Sequence, residues 1–88
     1  MLKIQRMADR GAVVLTVSGR LDAENVGQLC ELLDEVPVDT TVALDLRDLL
    51  LADRAVVRLL RELEDRRRIV LRNCPSYIRI WMAAEDTQ

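Results

Sequence analysis

The sequence contains no histidine and no phenylalanine, and Tyr77 and Trp81 are its sole aromatic residues. Without histidine, the commonest general base and the commonest metal ligand are both missing. Without phenylalanine, the core must be aliphatic, built from Leu, Val, Ile and Ala. No apolar run approaches the roughly 20 residues that span a bilayer, so direct membrane insertion is not expected. Lysine is nearly absent, with Lys3 alone among basic side chains that are otherwise arginine. The formal net charge is −2, which gives no global basic field for nucleic acid or an acidic membrane. Cys30 and Cys74 lie far apart and form no Cys-x-x-Cys pair. Together with the lack of a secretory leader, they point to a reducing, cytoplasmic setting.

What is present is a globular composition. Half of the 88 residues are apolar and 32% are charged, enough for one modest core in a single domain over residues 1–88. Leu2–Ala8 alternates weakly and reads as an edge strand. Asp9-Arg10-Gly11 is a turn, and Ala12–Ser18 a second strand with Val13, Leu15 and Val17 on one face. The short spacing makes these an antiparallel hairpin. Gly19-Arg20-Leu21-Asp22 ends the strand and starts a helix, with Asp22 as N-cap and Leu21 with Val26 as a hydrophobic staple. Val26, Leu29, Cys30 and Leu33 then form one helical stripe.

Thr41–Leu46 is the third strand. Asp53 caps the next helix, whose stripe is Val56, Leu59, Leu60 and Leu63 and whose end carries Arg66–Arg68. Ile69-Val70-Leu71 is apolar on both sides and reads as a central or well-covered strand. Asn73-Cys74-Pro75-Ser76 opens a final helix through Met82 or beyond, and Ala83–Gln88 is expected to fray. The fold class is α/β: a small mixed four-stranded sheet in the order β-β-α-β-α-β-α. One antiparallel edge strand joins three parallel strands by right-handed crossovers, with helices packed on the sheet.

Open α/β sheets bind ligands at the carboxyl ends of their parallel strands. That rim carries Arg20, Asp22, Arg47, Asp48, Asp53, Arg54, Asn73 and Cys74. Helix capping alone accounts for Asp22 and Asp53. Asp45, Asp48 and Asp53 lack an accompanying glycine loop, and Arg47 and Arg54 lie close enough to neutralise them, so no metal site is expected. Cys74 near a helix start has no histidine or second thiol to work with. Arg66–Arg68 is a single basic triplet in an acidic chain, and nucleic acid is not expected as a partner. No nucleophile–base pair can be placed on one surface, so no catalytic residue is assigned and no enzyme is expected. In the last helix, Ile78, Trp81 and Met82 can face the sheet together. Tyr77, Ile80 and Trp81 are then a candidate apolar interface, through which a homodimer could form. Of Leu49-Leu50-Leu51, one or two fill the core and a third is left exposed.

These residues in this order resemble the STAS domain, the sulfate transporter and anti-sigma factor antagonist family. Gly19-Arg20-Leu21-Asp22 looks like its Gly-x-Leu-Asp, and Val42-Ala43-Leu44-Asp45-Leu46 like its third strand. Leu51-Ala52-Asp53-Arg54-Ala55-Val56 lies where the family writes Asp-Ser-Ser/Thr-Gly. Asn73 and Pro75 sit where it often has a similar pair. In antagonist members the serine after that aspartate is phosphorylated by an anti-sigma kinase, which abolishes partner binding. Here Asp53 is kept, Arg54 occupies the degenerate phosphoacceptor position, Ala55 follows, and Val56 replaces the glycine. Arginine differs from a phosphoserine by roughly three charge units, so it does not mimic the switched state.

The resemblance implies a non-catalytic protein-interaction module without a cofactor, and without serine phosphorylation at the usual site. Its expected partner-binding residues are Asp22, Arg47, Asp48, Leu51, Asp53, Arg54, Ala55 and Arg58. The expected partner is an anti-sigma factor or kinase-like protein. The alternatives are an accessory subunit docked on the ATPase of an ABC-type transport system, and a module in which Arg54 at a helix start holds an anion or nucleotide.

Overall fold

A computed structural model describes residues 2–66 and 68–86. The elements follow as β1 (Leu2–Asp9), β2 (Ala12–Leu21), α1 (Val26–Glu35), β3 (Val42–Asp45), β4 (Leu49–Ala52), α2 (Arg54–Asp65), β5 (Ile69–Arg72) and α3 (Ser76–Asp86). They form a mixed, open, five-stranded sheet in the order β1-β2-β3-β5, with β4 also paired to β2. β1 is antiparallel to β2, and every other pairing is parallel. The expected α/β sheet with one antiparallel edge strand is therefore present, with one strand more than the sequence indicated.

The hairpin leaves Arg10 and Gly11 between paired Asp9 and Ala12. Both have positive φ, 51° and 82°, the pattern of a type I′ turn, whose twist suits antiparallel strands. The additional strand, β4, continues the lane that β3 leaves. β3 pairs with Val13–Thr16 of β2, and β4 pairs farther along with Gly19–Leu21. This partner is why β2 runs on to Leu21 instead of stopping at Ser18. Gly19 (φ 90°) does not end the strand but sits where the register shifts: Gly19 opposes Leu49, Arg20 opposes Leu51, and Leu50 is the extra residue of a bulge. Consequently Leu49 is buried, while Leu50 and Leu51 are 79% and 47% exposed.

The first helix starts later than the sequence suggested, at Val26 rather than after Asp22. The Asp22 carboxylate instead accepts from the Glu24 and Asn25 N–H groups at 3.0 and 3.1 Å, closing an Asx turn. The N-cap position falls to Asn25, whose side chain makes no capping bond. It accepts from the Asp22 N–H at 2.8 Å and donates to the Arg20 carbonyl at 2.9 Å, pinning the loop after β2. Leu21 thus belongs to the strand, and the expected staple with Val26 does not form in that register. The second helix begins as expected, with Asp53 capping the Val56 N–H at 2.9 Å. It ends at Asp65, so Arg66 and Arg68 follow the helix rather than close it, and Arg67 lies outside the described residues. The last helix continues to Asp86 instead of fraying from Ala83; residues 87 and 88 lie outside the described range.

Val13, Leu15 and Val17 of β2, Val42 and Leu44 of β3, and Ile69 and Leu71 of β5 share one sheet face. Over them pack Leu29 and Leu33 of α1, Val56, Val57 and Leu60 of α2, and Ile78 and Met82 of α3, in one aliphatic core. Each fully buried Leu or Ile there contributes about 1.5–3 kcal/mol. All three helices therefore cover the same side of the sheet. Val70 points to the other side and is 51% exposed, and among the described residues β5 has a neighbour only in β3. It is an edge strand because no second strand pairs with it, and, among the described residues, no helix covers its other face, so it is neither the central nor the well-covered strand its apolar run implied.

Candidate functional site

Loops from the carboxyl ends of the parallel strands meet on one rim. Two carboxylates hold these loops together. Asp53 is the first: its Oδ1 accepts from Val56 at the start of α2, and its Oδ2 from the Ala23 N–H at 3.1 Å. One side chain thus caps a helix and fastens the β2–α1 loop to the β4–α2 junction. Asp45 is the second: its Oδ1 accepts from the Arg47 N–H and from the Asn73 side-chain amide, both at 3.0 Å. This ties the β3–β4 loop to the β5–α3 turn, where Asn73 stands in the left-handed region at φ 53°. The Asn73 bond, followed by the Arg47 N–H, holds the Asp45 carboxyl below its ordinary range.

The expected site residues divide between these two clusters. Asp22, Leu51, Asp53, Arg54 and Ala55 gather at the end of β4, around the Asp53–Ala23 link. Arg47 and Asp48 stand at the start of β4, about 13 Å away along a four-residue strand. Asp48 acts there through its carbonyl, which accepts from the Gly19 N–H at 3.2 Å. Arg58 is exposed one turn into α2. Arg54 is the first residue of that helix, and its guanidinium lies over the Trp81 ring, 5.5 Å from the centroid. Trp81 meets Tyr77 edge-on, with 5.4 Å between ring centroids. The Tyr77 hydroxyl accepts from the Ala52 N–H at 3.0 Å, closing the outer edge of β4. Tyr77 and Trp81 are therefore half-buried against the core, and of the candidate apolar trio Ile80 stands out at 66% exposed.

Sequence reasoning passed over Asn25, which fixes the loop after β2, and the tie from Tyr77 to Ala52. Neither has a local signal, since each depends on a partner brought in by the fold. Leu50 was signalled by the triple-leucine run but could be placed only once the bulge was seen. Cys74 is no poised thiolate: burial pushes its thiol up, and Sγ donates to the Pro75 carbonyl at 3.7 Å.

The architecture has known relatives. The family profile described as "Mlab, STAS domain" matches residues 4–84. The chain belongs to the STAS family. A crystal structure of an uncharacterised DUF3478-family protein from Shewanella loihica PV-4, with a SpoIIAA-like fold, resembles this STAS domain with a TM-score of 0.51. The two are 14% identical, and the likeness covers 81% of this chain and 68% of that one, so it speaks to the fold alone. No curated protein matches the sequence. STAS and SpoIIAA-like domains are generally interaction modules rather than catalysts. Among the described residues of this one, no helix is long and apolar enough to cross a membrane.

Proposed function

We propose that this STAS domain is a cytoplasmic, non-catalytic protein-interaction module that docks its partner through the rim at the end of β4. One observation carries the reading. Asp53 locks two loops into a single surface at the end of β4, the strand on which Leu50 and Leu51 stay exposed and after which Arg54 opens α2. Exposed apolar side chains on a rigid, hydrogen-bonded frame, flanked by a cation, make an economical anchor for a protein partner. Arginine at position 54 leaves no hydroxyl there to phosphorylate, so control of binding lies in abundance or in the state of the partner. An anti-sigma factor or kinase-like protein is the first partner class.

A second reading is favoured by the same residue. STAS-like accessory subunits of ABC-type transport systems often lack the serine too, which makes a transport ATPase the alternative partner. Neighbouring genes choose between them: a sigma factor or kinase for the first, permease and ATPase genes for the second. The test is calorimetric titration of the purified neighbour with wild type, with an Arg54→Glu/Leu51→Asp double variant, and with Ile80→Lys as control. Binding that the double variant loses and the control keeps is expected. A double variant that binds like wild type overturns the proposal, as does stoichiometric phosphate placed on the rim by a cognate kinase.

A further inference from the structure

Because the three helices share one side of the sheet, the other side is left without a covering element among the described residues. Its side chains follow from the register. Met7 opposes Val14, Val14 opposes Ala43, and Ala43 opposes Val70, so one apolar row crosses β1, β2, β3 and β5. The next row is Gln5, Thr16, Asp45 and Arg72. Met7 and Val70, at the two ends of the apolar row, are 61% and 51% exposed. Ala43, in the middle of the row, is only 1% exposed, so its neighbours already cover it.

We infer that this open face is the interface of a homodimer in which two copies stack sheet on sheet about a twofold axis parallel to the strands. Such an axis lays β1 of one copy over β5 of the other, and β2 over β3. Met7 then meets Val70 of the second copy at both ends of the row, and each Val14 lies over the β3 lane of the other copy. In the polar row Thr16 comes over Asp45 and Gln5 over Arg72, so each charge meets a neutral hydrogen-bonding group and no like charges face one another. This self-complementarity is what an isologous interface requires, and it selects a second copy over an unrelated partner. Aligned sheets stack about 10 Å apart at roughly 30°, a geometry that side chains of these sizes fill. Strand and row spacings give an area of roughly 400 Å² per copy, about half that of a standard stable interface, so the dimer is weak and concentration-dependent. Both rims emerge at the same end of the dimer, and the inference is argued from the register of the sheet and not from the proposed function.

The test is sedimentation velocity on the full chain from about 10 μM to about 1 mM, the range in which an interface of this size associates. Wild type, Met7→Lys, Val70→Lys and Ile80→Lys are compared, with circular dichroism confirming that each is folded. A wild-type dimer is expected whose dissociation constant rises at least about tenfold in Met7→Lys and Val70→Lys, where an ammonium enters the apolar row, and stays unchanged in Ile80→Lys. Under mild oxidation, a mixture of Met7→Cys and Val70→Cys chains should form a covalent dimer above the wild-type background, and neither variant alone should. A chain that is monomeric throughout, a dimer indifferent to both lysines, or cross-linking of Met7→Cys with itself overturns the inference.

Discussion

The side-chain amide of Asn73 donates to Asp45 across 3.0 Å, joining the end of β3 to the left-handed turn after β5. This contact is the principal reason the Asp45 carboxyl titrates below its ordinary range. A carboxyl depressed in the fold favours the folded state while it is ionised. Its contribution is present above the unfolded value of about 4 and drains away as pH falls through the lower, folded value. Asn73→Gly keeps the left-handed backbone but removes the donor. Thermal midpoints of wild type and Asn73→Gly should therefore differ by a constant amount from neutral pH down to about 5 and converge below about 4. A gap that persists undiminished in acid would mean that the bond is not charge-assisted.

Asp53 performs two tasks that substitution can separate. Asp53→Ala should lower unfolding free energy by about 1 kcal/mol through loss of the cap. Asp53→Ser should recover most of that, because a hydroxyl can still cap Val56, but its single oxygen cannot also hold Ala23. Amide hydrogen exchange checks the split: the Ala23 amide should exchange faster in both variants, and the Val56 amide only in Asp53→Ala.

Tyr77 is a tie rather than a free surface. Tyr77→Phe keeps the packing with Trp81 but leaves the Ala52 N–H without its acceptor. Urea denaturation should show a loss of about 1 kcal/mol with an unchanged slope. An unchanged midpoint would show that the β4 edge is satisfied without the hydroxyl.

Arg54 over Trp81 supplies a built-in reporter, since the chain has a single tryptophan. Arg54→Ala should cost about 0.5–1 kcal/mol and change the Trp81 emission maximum. A partner that draws Arg54 away should reproduce the emission change in wild type. An emission spectrum identical in wild type and Arg54→Ala would remove the contact from the account.

Much of the fold was legible because it is locally encoded. The Asp9–Gly11 turn lies between alternating strands, the stripes of α1 and α2 repeat at helical spacing, and Asp53 directly precedes an apolar-periodic segment. The same reading misjudged Asp22, an equally good cap by type, because its carboxylate found the Glu24 and Asn25 amides in an Asx turn instead. It misjudged Leu49–Ala52, since three consecutive leucines carry no alternation, and strand character there comes from pairing with Gly19–Leu21. Ile69-Val70-Leu71 looked covered on both faces because an apolar run does not say on which side the helices lie. Of the candidate site, Asp53 and Arg54 were legible from their position at a helix start. The separation of Arg47 and Asp48 from them was hidden in the unseen strand between.

The order of residues by itself determined the aliphatic core, the hairpin, the β-α-β succession and a helix opening at Asp53, because each depends on neighbours within a few positions. The tertiary structure alone decided that Ala23 meets Asp53, that Tyr77 closes on Ala52 and that Asn73 reaches Asp45, contacts spanning 30, 25 and 28 positions along the chain. It also decided that, among the described residues, one sheet face carries no covering element. Local propensity carries no information about such distant meetings; they arise when the strands pair and the helices commit to a side.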